Sequence, residues 1–208
     1  MGLRGRLQEM PPSQNHFALP GDSGALVFTN DGPVGLVVAV RPALRRTSVC
    51  KASNIEKLLG VSFAPPVSAT SYVRLFDPKI FPTDPKERFE VLISGISIGH
   101  KSVTAGTLGA FVWDTVTGEL FGLTCAHIAA PPGAIAGAPI YQPGPLDIRT
   151  RFHREPTDMD IAGHLVRWIP ISFTEPNLID AALFRPTRPV WPSYVLGFGE
   201  RPLTGAIA

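Results

Sequence analysis

Twenty-two prolines and 20 glycines punctuate this chain of 208 residues. Proline interrupts the helical hydrogen-bond ladder and glycine weakens it, so little room is left for long helices. The pattern suits many short strands joined by tight turns. Hydrophobic residues make up 44% and charged residues 17%, which places the chain among globular rather than disordered sequences. The length fits one large domain or two small lobes, each with its own core.

One turn stands out near the start, in Leu19-Pro20-Gly21-Asp22-Ser23-Gly24, which runs straight into Ala25-Leu26-Val27-Phe28. Gly21 and Gly24 allow backbone conformations that a side chain would hinder. Between them Ser23 offers a small hydroxyl beside a rigid strand. A nucleophilic serine is presented in this way, with N–H groups of the same turn available to an oxyanion. The bland alternative is a glycine-rich lead-in to a hairpin. The choice depends on a base and a carboxylate elsewhere in the chain.

The spacing predicts strands over Ala25–Phe28 and Val34–Val40, joined by a turn at Thr29-Asn30-Asp31-Gly32. Val49–Ala52 reads as a short strand. Ser53 or Asn54 caps a short helix that Gly60 ends. Leu3–Leu7 is a further short strand, and Pro11–Pro20 is loop. From Phe63 to Glu90 prolines and charges occur without periodicity, the mark of a linker. Extended, it spans tens of ångströms at about 3.3 Å per residue. Strands are then expected at Val91–Ile98, Thr107–Trp113, Glu119–Thr124, Ala138–Gln142, Ile161–Ile169, Leu178–Phe184 and from Tyr194 onward. Turns are expected at Asp114–Gly118 and at Pro143-Gly144-Pro145. Short strands at this spacing point to small antiparallel barrels.

His127 follows an apolar strand, in Leu123-Thr124-Cys125-Ala126-His127. A general base must be held rigidly, and a strand end does that. Asp180 interrupts the apolar run Leu178–Phe184. A carboxylate there is costly to bury without a partner, and an imidazole N–H is a natural one. Each residue alone has a plainer reading: a histidine that ends a strand, a carboxylate that accepts backbone N–H groups. Asp160 is the runner-up carboxylate in a more polar context. His153, Asp158, Asp160 and His164 form a loose cluster whose spacing fits no standard metal-ligand pattern. His16 and His100 read as loop residues. Cys50 and Cys125 are too few for a disulfide framework, and Cys125 is expected as a packed thiol rather than a nucleophile.

Taken together, Ser23, His127 and Asp180 resemble the triad of trypsin-like (chymotrypsin-fold) serine proteases. Gly21-Asp22-Ser23-Gly24 resembles the nucleophile motif, Thr124-Cys125-Ala126-His127 the histidine motif and Asp180-Ala181-Ala182-Leu183 the aspartate motif. Gly106-Thr107-Leu108-Gly109-Ala110 and Gln142-Pro143-Gly144 are similar to a divergent bacterial, fungal and plant narrow-leaf-type branch. The resemblance covers roughly Phe17–Val61 and Ile93–Ala208. It implies an all-β fold of two six-stranded antiparallel barrels. It also implies an oxyanion hole from the N–H groups of Gly21 and Ser23, and a specificity pocket floored by Phe17. Asp22 is structural in this picture. The motif order departs from the family, which has histidine, aspartate, serine. The resemblance therefore implies a second barrel that is permuted and incomplete, with edges open to partner chains. Residues 1–62 would be the serine half, 63–90 a linker, 91–195 the barrel of the histidine and aspartate, and 196–208 the first strand of the second barrel.

The expected activity is peptide-bond hydrolysis on a peptide or protein substrate, without cofactor or metal. A non-catalytic interaction module and an inactive fragment are the alternatives. The net charge of +2 gives no ground for nucleic-acid binding, and Arg41, Arg45 and Arg46 read as a solvated loop. No apolar run approaches the roughly 20 residues of a membrane span, and no signal-peptide core precedes the serine turn. An intracellular, reducing location is therefore expected. Association of two copies through open barrel edges is a further expectation.

Overall fold

The computed structural model describes residues 21–41, 46–66 and 82–200. Leu3–Leu7, His16, Phe17, most of the expected linker and everything after Glu200 lie outside the described residues. What is described is mostly β-sheet, in three sheets, and no closed barrel occurs among the described residues.

The serine turn leads into β1 (Leu26–Thr29), which pairs antiparallel with β2 (Gly32–Arg41), and β2 pairs with β3 (Arg46–Lys51). Helix α1 (Ala52–Leu59) follows at once. Its N-cap is Lys51, without a side-chain cap, so Ser53 and Asn54 lie inside the helix rather than at its start. Gly60 ends it as expected, in the left-handed region at φ 63°. Then β4 (Val61–Ser62) pairs with β8 (Ala110–Asp114), the edge of the large sheet. The first segment is thus stitched directly into the second.

The expected strand Val91–Ile98 is two strands, β5 (Leu92–Ser94) and β6 (Ser97–His100), broken at Gly95 with φ 94°. His100 ends β6 and is half-buried rather than a loop residue; burial lowers its pKa. The expected strand Thr107–Trp113 likewise divides into β7 (Gly106–Thr107) and β8. Next come β9 (Leu120–Thr124) and a single helical turn, α2 (Ala126–Ala129). After them lie β10 (Pro139–Tyr141), helix α3 (Pro145–Phe152), β11 (Ile161–Trp168) and β12 (Ala182–Pro186). The large sheet runs β4-β8-β9-β12-β11-β10-β6-β7. A third sheet pairs β5 in parallel with β13 (Val190–Val195), which turns into β14 (Gly199–Glu200). Helix α3 replaces the turn expected at Pro143-Gly144-Pro145. Pro145 opens it, a position where the missing N–H costs no helical bond.

The strands β8, β9 and β12 are apolar on both faces, and the two faces serve different cores. Phe111, Ala182 and Phe184 point into a cluster with Leu92, Ile96, Ile98 and Leu165. Their neighbours Ala110, Val112, Leu123 and Leu183 point the other way, onto Leu36, Ile55 and Leu59 of the serine segment. Alternate residues of a strand face opposite sides, so a sheet covered on both sides reads as a continuous apolar run.

Two charged residues, the half-buried Arg188 and the buried Asp160, fasten the loops around this sheet. Arg188 fans its guanidinium onto the carbonyls of Phe89 (2.6 Å), Gln142 (2.9 Å), Asp160 (2.9 Å) and Ile161 (3.0 Å). Burial pulls its pKa down to about 10. Gln142 ties the same loop, accepting from Phe89 N and donating to the Glu87 carbonyl. Asp160 is fully buried and takes two hydrogen bonds from Arg154, at 2.6 and 2.8 Å, and one from Thr157 N at 2.8 Å. Burial raises the pKa of this carboxyl, but the Arg154 and Thr157 hydrogen bonds outweigh it and hold it down to about 2.

A carboxyl whose folded pKa is depressed stabilises the fold above its unfolded pKa and loses that contribution as pH falls. The Asp160 contribution, about 2 kcal/mol, is therefore complete above roughly pH 4 and fades towards pH 2. Urea titrations at pH 7 and at about pH 3 should show a smaller Cm at the lower pH. Asp160→Asn should lower the pH 7 Cm and flatten that pH dependence; an unchanged slope would show that other groups govern it.

Candidate active site

His127 lies in the α2 turn, two residues past the Cys125 N-cap, and not at the end of β9 itself. The strand delivers the chain and the helical turn aims the ring. Asp180 likewise precedes β12 rather than lying inside a strand, and Leu178, expected within that strand, is 73% exposed. The short lead-in still buries Asp180, which is 7% exposed. Its Oδ2 meets His127 Nδ1 at 2.5 Å, and its Oδ1 accepts the main-chain N–H of His127 at 3.1 Å. Two contacts on one residue fix both the position and the plane of the imidazole. With Nδ1 engaged by the carboxylate, Nε2 is the nitrogen left to exchange a proton. The ring is half-buried, its side chain 35% exposed.

Asp160 is not the partner. It belongs to Arg154 and Thr157, and Arg88 lies 3.5 Å from it. His153 is the left-handed residue that ends α3, and His164 is exposed on β11. Asp158 opens a short helical turn that Asp160 closes in a capping box. Asp160 is thus a structural carboxylate, held by Arg154 and Thr157.

The Ser23 turn is held from both sides. Within its own segment, Gly24 N donates to Val37 O at 2.7 Å and Ala25 N to Asp22 O at 2.8 Å. From the histidine segment, Thr107 N donates to Ser23 O at 2.8 Å, and Thr107 Oγ1 donates to Gly21 O at 3.0 Å. Thr124 Oγ1 in turn donates to Thr107 O at 2.7 Å. Thr124 is three residues before His127, so this short chain of bonds joins the serine turn to the strand that carries the histidine. Gly21, at φ 104°, and Gly24, at φ 94°, occupy backbone conformations open chiefly to glycine. The Ser23 hydroxyl itself donates to the main-chain carbonyl of Val38 at 3.2 Å.

The segments meet at van der Waals limits. A Cβ on Gly109 would stand 2.1 Å from the Gly24 carbonyl oxygen. A Cβ on Gly24 would stand 2.4 Å from both Thr107 O and Thr124 Oγ1. Only backbones without side chains approach this closely.

Both thiols sit at the same junction, free and buried. Cys125 Sγ donates to Val37 O at 3.2 Å. Burial pushes the Cys125 thiol well above its ordinary pKa, and the Asp180 charge adds to that. Burial also raises the Cys50 thiol, against a hydrogen bond from the Asp180 N–H. Cys125 is therefore a neutral, packed thiol and a poor nucleophile. The ligating atoms of Cys125, His127 and Asp180 lie within 4.8 Å of one another. Within that group His127 Nδ1 is engaged with Asp180 Oδ2, and Cys125 Sγ with the Val37 carbonyl.

Of the residues singled out from the sequence, the fold pairs Asp180 with His127, while the Ser23 hydroxyl is bonded to Val38 O and Phe17 lies beyond the described residues. Sequence reasoning missed Thr107 and Gly109, whose roles are contacts with a segment some 85 residues away, as in the Thr107–Gly21 bond. No family model, curated protein or solved structure matches this chain. The geometry therefore stands on its own.

Gly109→Ala tests whether this docking positions the site. Gly109 has an ordinary φ, so the change acts by contact alone. Overpacking of this kind typically costs about 1–3 kcal/mol. We expect a lowered urea Cm, together with a lost or slowed reaction of Ser23 with a fluorophosphonate. Val116→Ala, at a side chain 91% exposed, is the control and should change neither.

Proposed function

We propose that the chain is a serine-type peptidase that cleaves peptide bonds through an acyl-enzyme. The two-point contact of Asp180 with His127 carries this reading. A buried carboxylate that grips both the ring and the main chain of a half-exposed histidine prepares a base, and the Ser23 turn is linked through Thr107 to the strand before it. Ser23 Oγ attacks the substrate carbonyl carbon while His127 Nε2 takes its proton. The N–H groups of Gly21 and Ser23 stabilise the oxyanion. The C–N bond then breaks as His127 returns the proton to the amine, and water repeats the sequence to release the acid. Asp180 stays ionised throughout and stabilises the imidazolium. None of these steps calls for a cofactor.

In this reading the three sheets are parts of two trypsin-like barrels. The segment β1–β3 with α1 is the end of the second barrel, placed before the first, and the second barrel is permuted and incomplete.

A second reading is a protease-like interaction module. It is favoured by one observation: the Ser23 hydroxyl is bonded to the Val38 carbonyl. Catalysis requires that hydroxyl to rotate towards the imidazole and reach about 3 Å from it.

Reaction of the full chain with a tagged fluorophosphonate separates the two. Covalent label on Ser23 is expected in the wild type, and none in Ser23→Ala or His127→Ala. Asp180→Asn should slow labelling by several powers of ten while leaving the thermal melt within a few degrees. A folded wild-type protein that takes up no label leaves the interaction module as the reading.

A further inference from the structure

The two ends of the serine turn are held differently. Gly24 is buried, and a Cβ there would strike Thr107 O and Thr124 Oγ1, so close contact confines that end. Gly21 is exposed, and a Cβ on it would meet nothing within 4 Å among the described residues. Its φ of 104° lies in a region that glycine enters without strain, so its own geometry does not confine it either. What fastens this end is a hydrogen bond. The Thr107 hydroxyl donates to the Gly21 carbonyl at 3.0 Å.

The large sheet places Thr107 for that bond. Strand β7 is the last of its eight strands and pairs with β6. Leu108 turns its N–H to Ile96 O and its carbonyl to Gly95 N, so the main-chain groups of Thr107, one residue earlier, face outward. A sheet edge leaves such groups without a partner strand. The serine turn takes up that edge, with Thr107 N donating to Ser23 O at 2.8 Å, while Thr107 O accepts from Thr124 Oγ1 at 2.7 Å. All three polar groups of Thr107 are committed, two of them to the serine turn.

The consequence is the direction of the turn's N–H groups. Three successive carbonyls are engaged: Gly21 O by Thr107 Oγ1, Asp22 O by Ala25 N at 2.8 Å, and Ser23 O by Thr107 N. In a trans peptide the N–H points opposite to the carbonyl. Fixing these carbonyls fixes the N–H groups of Asp22, Ser23 and Gly24, and Gly24 N accordingly donates to Val37 O at 2.7 Å. Of the three carbonyls, that of Gly21 is the one held by a side chain. Its orientation sets the rotation between Gly21 and the peptide units that follow, and so the angle between the N–H groups of Gly21 and Ser23.

Resting on the peptidase reading, we propose that Thr107 is a positioning residue for the reaction, whose hydroxyl holds the Gly21 carbonyl so that the N–H groups of Gly21 and Ser23 converge on one oxyanion. Thr107 acts through the turn and handles no proton of the reaction. Without the hydroxyl, the end of the turn that contact does not confine is released. Donors stabilise a transition state only when they are held in place before the charge develops.

The test is fluorophosphonate labelling of Ser23 in the full chain, resolved into affinity for the reagent and rate of the bond-forming step. Thr107→Val keeps the branched shape and the main-chain bond to Ser23, and loses the hydroxyl. It should slow the bond-forming step about 10- to 100-fold, at most the loss of one oxyanion donor, and leave affinity within about threefold. Thr107→Ser, which keeps a hydroxyl, should stay within about threefold of the wild-type rate. Both should share the wild-type pH dependence, because His127 and Asp180 are untouched. Thr107→Ala should be slowed like the valine variant, and replaces it if that variant does not fold. A hydroxyl-free variant that is folded and labels at the wild-type rate overturns the proposal, even where its urea Cm is lowered. So does a serine variant as slow as the valine one, or a shifted pH midpoint. A wild type that takes no label removes the peptidase reading, and the positioning role with it.

Discussion

The close approach of Gly24 to Gly109 governs everything that happens at the site. Two main chains touch there with no side chain between them. That contact lets Thr107 reach the carbonyls of both Gly21 and Ser23, and it sets the serine turn against the strand before His127. The two cysteines repeat the arrangement in reciprocal form. Cys125 of the histidine segment bonds the Val37 carbonyl of the serine segment, and Cys50 of the serine segment faces the Asp180 N–H. Around these bonds lies an apolar core drawn from both segments, with Ile55 and Leu59 against Val112 and Leu183. The position of the serine turn is therefore a property of the docked pair, whereas the Asp180–His127 contact lies within the histidine segment.

Asp180 is buried without going unpartnered. Removing a carboxylate from water costs several kcal/mol unless hydrogen bonds replace the lost hydration. Oδ1 and Oδ2 each receive a donor from His127, and the same contacts hold the imidazole. Stabilising the acid and orienting the base are one interaction. The neighbouring thiols are neutral, so they add no charge to compete with the carboxylate.

Much of this was legible in the sequence where chemistry and pattern coincide. An aspartate inside an apolar run, a histidine after a strand and a serine between two glycines are costly or special locally, and locality is what a sequence displays. The existence of most strands was readable for the same reason, from apolar runs bounded by turn residues. Their interruptions were less so. Gly95 breaks a run that looks continuous, and α3 begins at a proline that reads equally well as a turn. Helix α2 is too short to show a period, so the histidine looked like a strand terminus. Thr107 and Gly109 stand in a stretch noted for its resemblance, but nothing local shows their contacts with the serine turn. A threonine at the end of one short strand and a glycine just before the next are unremarkable until the partner backbone arrives from far along the chain.

The serine turn precedes the histidine and the aspartate in the chain, and that order does not hinder their docking. Hydrogen bonds and packed faces carry no record of chain order, and a site needs only that its elements dock. What the order does change is how the chain must fold. The strand β4 joins β8 across about 50 residues, as Ser62 pairs with Trp113, and Thr107 meets Gly21 across 86 positions. Such contacts charge the loop-closure entropy before they return any stabilisation. The double-sided sheet of β8, β9 and β12 answers that cost. One face completes a core within the histidine segment, and the other stays apolar for α1 and β2. The histidine segment can therefore organise first and present a ready surface to the serine turn. On this view the glycines at the junction matter for folding as well as for geometry, because the last step joins two preformed surfaces that fit only without side chains between them.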